Sequence, residues 1–505
     1  MSSSVQVGTI RTQIPARLDR LPWSRWHWLI VIGLGTVWIL DGLEVTIVGN
    51  VAGRLAEPGS GLDISAAQIS GLAASLYVAG ACLGALFFGW LTDRLGRKKL
   101  FLVSLAVYLF ATALTAISME PWWFFACRFL TGFGIGGEYA AINSAIDELI
   151  PSRVRGRVDL IINGSFWIGA FLGSFLAIFF LDESIFAANV GWRLTFALGA
   201  VLAVVILLVR RHVPESPRWL MIHGREREAE EIVAEAERVV REQTGRELPE
   251  PEGEITIRQR HSIGFGTIAR TVFKLYPKRT VLGLSLFVGQ AFLYNAITFG
   301  YATILITFFD VPSGDTGYYY AAIAAGNFIG PLTLGHLFDT LGRKVMISST
   351  YIVSGVLLLG TAALFQADAL NATTMTLCWC VVLFFASTGA SSAYLTVSEV
   401  FPMETRAMAI AFFYAVGTAV GGITGPQVFS RLTETGDVSD TALAFVIGAV
   451  LMIAAGVVAA FLAVRAERQS LENIAKPLTA EDAEDDSAAA SKRPPAAQGP
   501  RPATA

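Results

Sequence analysis

Twelve long apolar runs, six on either side of a charged interval, constrain this chain more than any other feature. They lie near residues 27–50, 69–91, 100–118, 122–146, 158–181 and 192–209, and again near 281–306, 317–338, 345–366, 372–397, 407–429 and 442–464. Each is about the length needed to cross a hydrocarbon core about 30 Å thick at about 1.5 Å per residue. Lipid offers no partner for free backbone N–H and C=O groups, so the runs are predicted to be helices; barrel strands would be shorter and would alternate. Only 16% of the residues are charged, against about 25% in soluble domains. The expected fold class is an all-α membrane protein with twelve transmembrane helices.

Orientation follows from Lys and Arg in the short loops. With the N-terminus inside, the inner loops hold Arg94, Arg97, Lys98, Lys99, Arg153, Arg155, Arg157, Arg343, Lys344 and Arg406, and the outer loops only Arg54, Arg193 and Arg431. Both termini are therefore expected in the cytoplasm, with the chain multi-pass in an inner or plasma membrane. The expected organisation is a cytoplasmic segment 1–26, a six-helix half 27–209, a cytoplasmic linker 210–279, a second half 280–464 and a disordered tail 465–505. Within the linker, Arg225 to Gln243 reads as a charged amphipathic helix with Ile232, Val233, Val239 and Val240 on its apolar side. The polar, basic stretch Met1–Arg25 and the long first run argue against a cleavable signal peptide.

Several functions are set aside by what the chain carries. A net charge of −3 favours no nucleic acid. Cys82, Cys127, Cys378 and Cys380 all lie in apolar runs, away from any disulfide framework, and Cys378-Trp-Cys380 has the wrong spacing for a redox or zinc pair. The five histidines are scattered, so no metal or cofactor is expected. No phosphate-binding loop is present, and no nucleophile, base and orienter recur together, so an enzyme is not expected. The run Gly132 to Gly137 imitates a dinucleotide fingerprint but lies inside an apolar span, where close helix packing accounts for it better.

Two turns repeat. Gly89-Trp-Leu-Thr-Asp93-Arg-Leu-Gly96-Arg97-Lys98 returns as Gly335-His-Leu-Phe-Asp339-Thr-Leu-Gly342-Arg343-Lys344. Glu148-Leu-Ile-Pro151 with Arg155 returns as Glu399-Val-Phe-Pro402 with Arg406. Two motifs in one order at nearly one offset make the chain two homologous six-helix halves, with a substrate site between them near the midplane. Glycine permits the tight turn, and Asp or Glu can pair with Arg across helix boundaries. Asp93, Arg97, Asp339 and Arg343, with Glu148 paired to Arg155 and Glu399 to Arg406, are expected to hold the cytoplasmic side shut and to part when it opens; simple anchoring is the alternative.

The repeated Asp-x-x-Gly-Arg-Lys turn resembles the signature of the major facilitator superfamily. Arg128-x-x-x-Gly132-x-Gly134-x-Gly136-Gly137-Glu138 resembles the fourth helix of its sugar porter and metabolite symporter branches, and Pro214-Glu215-Ser216-Pro217-Arg218-Trp219-Leu220 looks like the segment after their sixth helix. The resemblance implies an alternating-access transporter that works as a monomer.

Charges inside a span cost about 2.5–3.5 kcal/mol each, so those present are expected to act. Asp41 and Glu44 share one face of the first helix at i and i+3, and Arg128 and Glu138 lie in the fourth. A carboxylate beside Arg is stabilised as an ion, and protonating it releases the Arg, which makes a proton-driven two-state element. Asp41-Gly-Leu-Glu44 also resembles the Asp-Gly-x-Asp element of aromatic acid:proton symporters and overlaps the coupling carboxylate of proton-linked sugar porters. By the same resemblance, Gln290, Asn295, Asn327, Asn163 and Tyr394 match sugar-contacting positions. Departures at Gly417, Thr418 and Gly389-Ala-Ser391-Ser392 argue against a typical hexose. Trp167, Tyr294, Tyr301 and Tyr414, beside Arg128, would suit an aromatic or carboxylated solute. The expected function is proton-coupled symport of a small organic metabolite such as an organic or aromatic acid. A proton-coupled or facilitative sugar transporter is the alternative, with an antiporter or a non-transporting solute receptor behind it.

Overall fold

The computed structural model describes residues 9–478, apart from 56–58, 63, 65–67, 183, 211–212, 246, 252, 259–264 and 313–314. Each apolar run is a helix, numbered here by span: α1 Arg25–Leu55, α2 Ala74–Leu95, α3 Arg97–Ala116, α4 Pro121–Leu149, α5 Arg155–Phe180, α6 Ala188–Arg210, α7 Pro277–Phe309, α8 Thr316–Thr340, α9 Arg343–Gln366, α10 Ala372–Val400, α11 Arg406–Thr433 and α12 Val438–Leu462. Eleven are apolar enough to cross a membrane by length and composition. The twelfth, α4, is 29 residues long but carries Arg128, Glu138, Asp147 and Glu148 in one span, all buried. Large apolar side chains such as Phe110, Phe179, Val201 and Phe461 point outward, as a lipid-facing surface requires. The chain is an all-α membrane protein of two six-helix halves.

Small residues set the packing within a half. A Cβ on Gly132 would sit 2.0 Å from the Tyr77 carbonyl oxygen of α2, so α4 reaches that depth only with glycine there. The repeated turns are equivalent in backbone as well as in sequence, since Gly96 and Gly342 have φ of 99° and 105°, a region other residues rarely enter. Between halves, α2 packs on α11, and α5 on α8 and α10.

The ends of α1, α5, α7 and α11 that carry the Arg-rich loops define a basic face. Beneath it lies the amphipathic helix Glu226–Thr244, with Val233, Ala236, Val239 and Val240 buried. One expectation changes here, the disorder of residues 465–478, and the N-terminal segment gains a fold. The N-terminal segment forms a strand, Thr9–Thr12, antiparallel to Ile255–Arg258, and a helix, Ile14–Asp19; Arg17 and Arg20 reach Glu237 at 3.0 and 2.6 Å. The first fourteen residues of the expected disordered tail fold under the bundle as far as Leu478, with a short helix at Leu471–Ile474. Their composition is polar, but Glu467 and Glu472 find buried amide and guanidinium partners there, which composition does not disclose. Residues 479–505 lie outside the described residues.

Candidate functional site

Between the halves lies a cavity of about 180 Å³. Trp38 and Val45 of α1, Asn163, Phe166 and Trp167 of α5, Gln290, Tyr294, Asn295 and Thr298 of α7, and Ser387, Ser391 and Tyr394 of α10 line it, with Tyr139 and Tyr320. Six positions expected from sequence therefore meet here: Asn163, Trp167, Gln290, Tyr294, Asn295 and Tyr394. Asn327 does not line the cavity; it accepts a hydrogen bond from the Tyr294 hydroxyl at 2.8 Å and so orients a residue that does. Asn163 is oriented in turn, because its amide nitrogen donates to Asn143 Oδ1 at 3.1 Å and to the Asp159 carbonyl at 2.9 Å. Among the described residues, no charged side chain lines the cavity.

Aromatic rings close it toward the basic face. Trp38 stacks on Tyr139 at 4.8 Å, Tyr139 meets Tyr414 at 4.6 Å, and Trp38 meets Tyr394 at 5.8 Å. Tyr394 lies six residues from the basic end of α10, about 9 Å at the helical rise. Trp167 and Tyr294 face each other at 5.4 Å across the halves. Tyr301 is one layer back, against Tyr320 at 4.8 Å.

Arg128 is not beside the cavity, contrary to expectation. Its guanidinium is fully buried within the first half and donates to Glu44 Oε1 at 2.9 Å and to the hydroxyls of Thr115 and Thr131 at 3.2 Å. The Phe196 ring covers it at 4.9 Å. Asp41, one turn from Glu44, is equally buried, and no hydrogen bond reaches either of its oxygens among the described residues. Glu138 is buried on α4 and outside the cavity lining. Of the three charges, Glu44 and Arg128 are paired and Asp41 lies one turn away, all behind the wall of the cavity: Trp38 and Val45, its α1 lining residues, flank Asp41 and Glu44 on the same helix.

Below the aromatic layer, ion pairs bridge the two halves at the basic face, and their partners are not the expected ones. Glu148 and Arg155 do not pair, nor do Glu399 and Arg406. The pairs cross between halves: Glu148 Oε1 lies 3.4 Å from Arg406 and Glu399 Oε1 lies 3.6 Å from Arg155. Each glutamate is also held within its own half, Glu148 by Arg97 at 2.9 Å and Glu399 by Arg343 at 2.9 and 3.0 Å. The repeat equips both halves with the same two residues, so their exchange is as available as pairing within a half. Asp339 makes a further crossing contact. Its oxygens accept from the Gly156 and Arg157 amides at 3.1 and 2.8 Å, capping the start of α5 from the other half as an N-cap residue would. The side chain of Asp93 lies outside the described residues.

Sequence reasoning missed part of this layer. Arg218 donates to the Glu148 carbonyl at 2.6 Å and to Glu472 at 3.0 Å. Burial alone would push the Glu472 carboxyl up; Arg218, Arg406 and Arg155 more than offset this and hold it below the usual carboxylate range. Asp147 and Asp159 nearby are both fully buried. For Asp159 a signal was present, since Arg155, Asp159 and Asn163 recur every four residues and share one helix face.

The comparisons with known proteins point one way. The sugar (and other) transporter family profile matches residues 26–477. The niacin transporter NiaP of Acinetobacter baylyi is 26% identical over 461 residues, covering 91% of this chain and 99% of its own. A putative metabolite transport protein of Escherichia coli, YdjK, is 28% identical over 453 residues, 87% of this chain and 92% of its own. Among solved structures, the proton:xylose symporter XylE of Escherichia coli, of the major facilitator superfamily, superposes with a TM-score of 0.72 at 17% identity, covering 89% of this chain and 98% of that one.

Proposed function

The chain belongs to the sugar (and other) transporter family, and on that premise we propose that it is a proton-coupled symporter of a small single-ring organic metabolite, with its basic face in the cytoplasm. The chain is a transporter, not an enzyme. One observation carries the coupling: a guanidinium–carboxylate pair, Arg128 with Glu44, is fully buried beside Asp41 on the helix whose neighbouring residues line the cavity. Truncating one partner of such a pair is costly, because the other charge stays buried and unpaired. Protonating Glu44 frees Arg128 in the same way, so α1 and α4 must rearrange, and Trp38 and Val45 move with α1. The closed basic face and the cavity above it form one end state of alternating access. Asp41 and Glu44 take the proton, and substrate occupies the cavity while it is bound.

The cavity bounds the substrate. Drug-sized pockets run to about 300–1,000 Å³, so about 180 Å³ suits one ring. Trp38, Tyr139, Trp167 and Tyr294 offer ring faces, and Asn163, Gln290 and Asn295 offer amides. With no cationic side chain in the lining among the described residues, a neutral heteroaromatic ring fits better than a carboxylate. The niacin transporter among the relatives supports a single heteroaromatic ring, although niacin itself carries a carboxylate. A sugar or polyol is the second reading, favoured by the three amides.

The test is a tryptophan-quenching and thermal-shift screen of the purified protein with nicotinamide, nicotinate, aromatic acids, polyols and pentoses at two pH values. Tightest binding by nicotinamide or another neutral ring supports the first reading, and tightest binding by a pentose or polyol the second. Tightest binding by a carboxylate with no neutral hit would contradict both.

A further inference from the structure

Two buried carboxylates remain that neither the cavity nor the Glu44–Arg128 pair uses. Asp147, on α4, and Asp159, on α5, are 0% exposed. No donor reaches an oxygen of either with hydrogen-bond geometry among the described residues. The groups beside them are committed elsewhere. The Asn163 amide gives its two N–H groups to Asn143 and to the Asp159 backbone carbonyl, and the Ser398 hydroxyl donates to the Leu395 carbonyl.

The charges around Asp159 come from several elements. Asp147 acts on it from α4, Glu399 from α10 and Arg343 from α9; Asp147 in turn faces Arg155, Arg406 and Glu399. Arg343 is engaged four times over, by Glu399 through two bonds and by Asp339 and the Phe338 carbonyl through one each. On α8, Asp339 is occupied by Arg343 and by the α5 amides. Asp41 and Glu44 on α1 lie elsewhere: a Cβ on Gly42, between them, would meet the Phe166 carbonyl, about two turns along α5 from Asp159. An ionised carboxylate in such a dry site, without a donor and facing two other carboxylates, is costly, and binding a proton removes the cost.

We propose that Asp159, faced by Asp147, is a second proton-binding site, loaded while the basic face is closed and emptied to that face when it opens. Opening withdraws α9 and α10, and with them Glu399, and admits water to the oxygens of Asp159. The proton adds to one of those oxygens and leaves it for water on the basic side; no other bond changes. Because Asp159 is one turn from Asn163, the site lies between the substrate cavity and the ion-pair layer and links the state of the gate to proton supply. The proposal rests on the alternating-access reading but not on Glu44.

The test needs no substrate. Spin labels on Leu95→Cys and Leu341→Cys, exposed positions on the two halves at the basic face, would report its opening by electron–electron resonance distances. The background carries serine at the four native cysteines, and the protein is full-length in lipid nanodiscs from pH 5.5 to 8.5. The ratio of open to closed protein should rise with pH, approaching tenfold per unit once the site begins to lose its proton. Asp159→Asn should flatten that profile at its acidic value, while Glu44→Gln keeps a slope. Asp159→Ser carries the same expectation should the Asn variant fold poorly. A profile in either Asp159 variant that tracks the parent would overturn the proposal, and so would a parent protein whose distances ignore pH. Failure of proton-coupled transport would show instead as uncoupled uptake, a separate measurement.

Discussion

Gly156→Ala tests the crossing contacts at the point where they are tightest. A Cβ at this position would lie 2.3 Å from Arg343 Nη1, 2.7 Å from its Cζ and 2.7 Å from Asp339 Oδ1. Arg343 cannot swing aside freely, since Glu399 holds it through two bonds at 2.9 and 3.0 Å and the Phe338 carbonyl accepts a third at 2.7 Å. Overpacking at such a site costs about 1–3 kcal/mol. Arg343 and Asp339 belong to the other half, so the cost falls on the closed state alone. The open-to-closed ratio should therefore rise by about 5- to 150-fold. Within the helix, alanine is if anything the better residue, by about 1 kcal/mol, so the half itself should remain as stable. Hydrogen–deuterium exchange of the peptide spanning 155–160 reads the effect directly, because the residue 156 and 157 amides bond to Asp339 only when the halves meet. Unchanged exchange there, with the protein correctly inserted, would refute the view that these contacts hold the basic face shut.

Glu399→Gln should destabilise the fold by about 3–5 kcal/mol, because Arg343 within its half loses a buried counter-charge, and should weaken the closed state further through the loss of the crossing Arg155 contact; a drop in melting temperature together with greater alkylation of cysteines placed at the basic face would show it. The N-terminal strap should be pH-sensitive in one direction. Burial raises the Glu237 carboxyl, but Arg17 and Arg20 more than compensate and hold it below its ordinary 4.5. A group depressed in this way stabilises docking above about pH 4.5 and loses that contribution as pH falls through its lower folded value. Proteolysis of residues 9–24 should thus accelerate below pH 4.5 and not above it. Counted at only the about 0.2–1 kcal/mol of an exposed pair, these contacts to the buried Glu237 still mean that Glu237→Arg should speed cleavage at pH 7 several-fold, and Arg17→Glu with Arg20→Glu added to it should restore protection.

The spans were legible because lipid leaves the backbone one solution per apolar run, and all twelve are helices. The Glu44–Arg128 pair was legible because charge at that depth must be compensated. Partnership within the gate was not. Glu148 and Arg155 sit seven residues apart in each repeat and look like neighbours, yet the halves trade them, and only the packing of one half on the other decides between the two pairings. The same limit hid Arg218 and Glu472, which are separated by 254 residues and join a polar linker to a polar tail. Asn327 kept its expected neighbourhood but lies behind Tyr294, because sequence locates a residue on a helix and not its depth relative to a larger neighbour. Asp159 was legible in principle from its four-residue spacing with Arg155 and Asn163.

Coupling of solute movement to protons by the buried pair is the central claim. The most direct measurement is uptake into proteoliposomes under an imposed proton gradient, using the tightest-binding compound from the ligand screen. Wild-type protein should concentrate that compound against its gradient, and Asp41→Asn with Glu44→Gln should let it only equilibrate, with exchange of bound for free compound still running. Continued accumulation by the double variant would contradict the assignment of the coupling site.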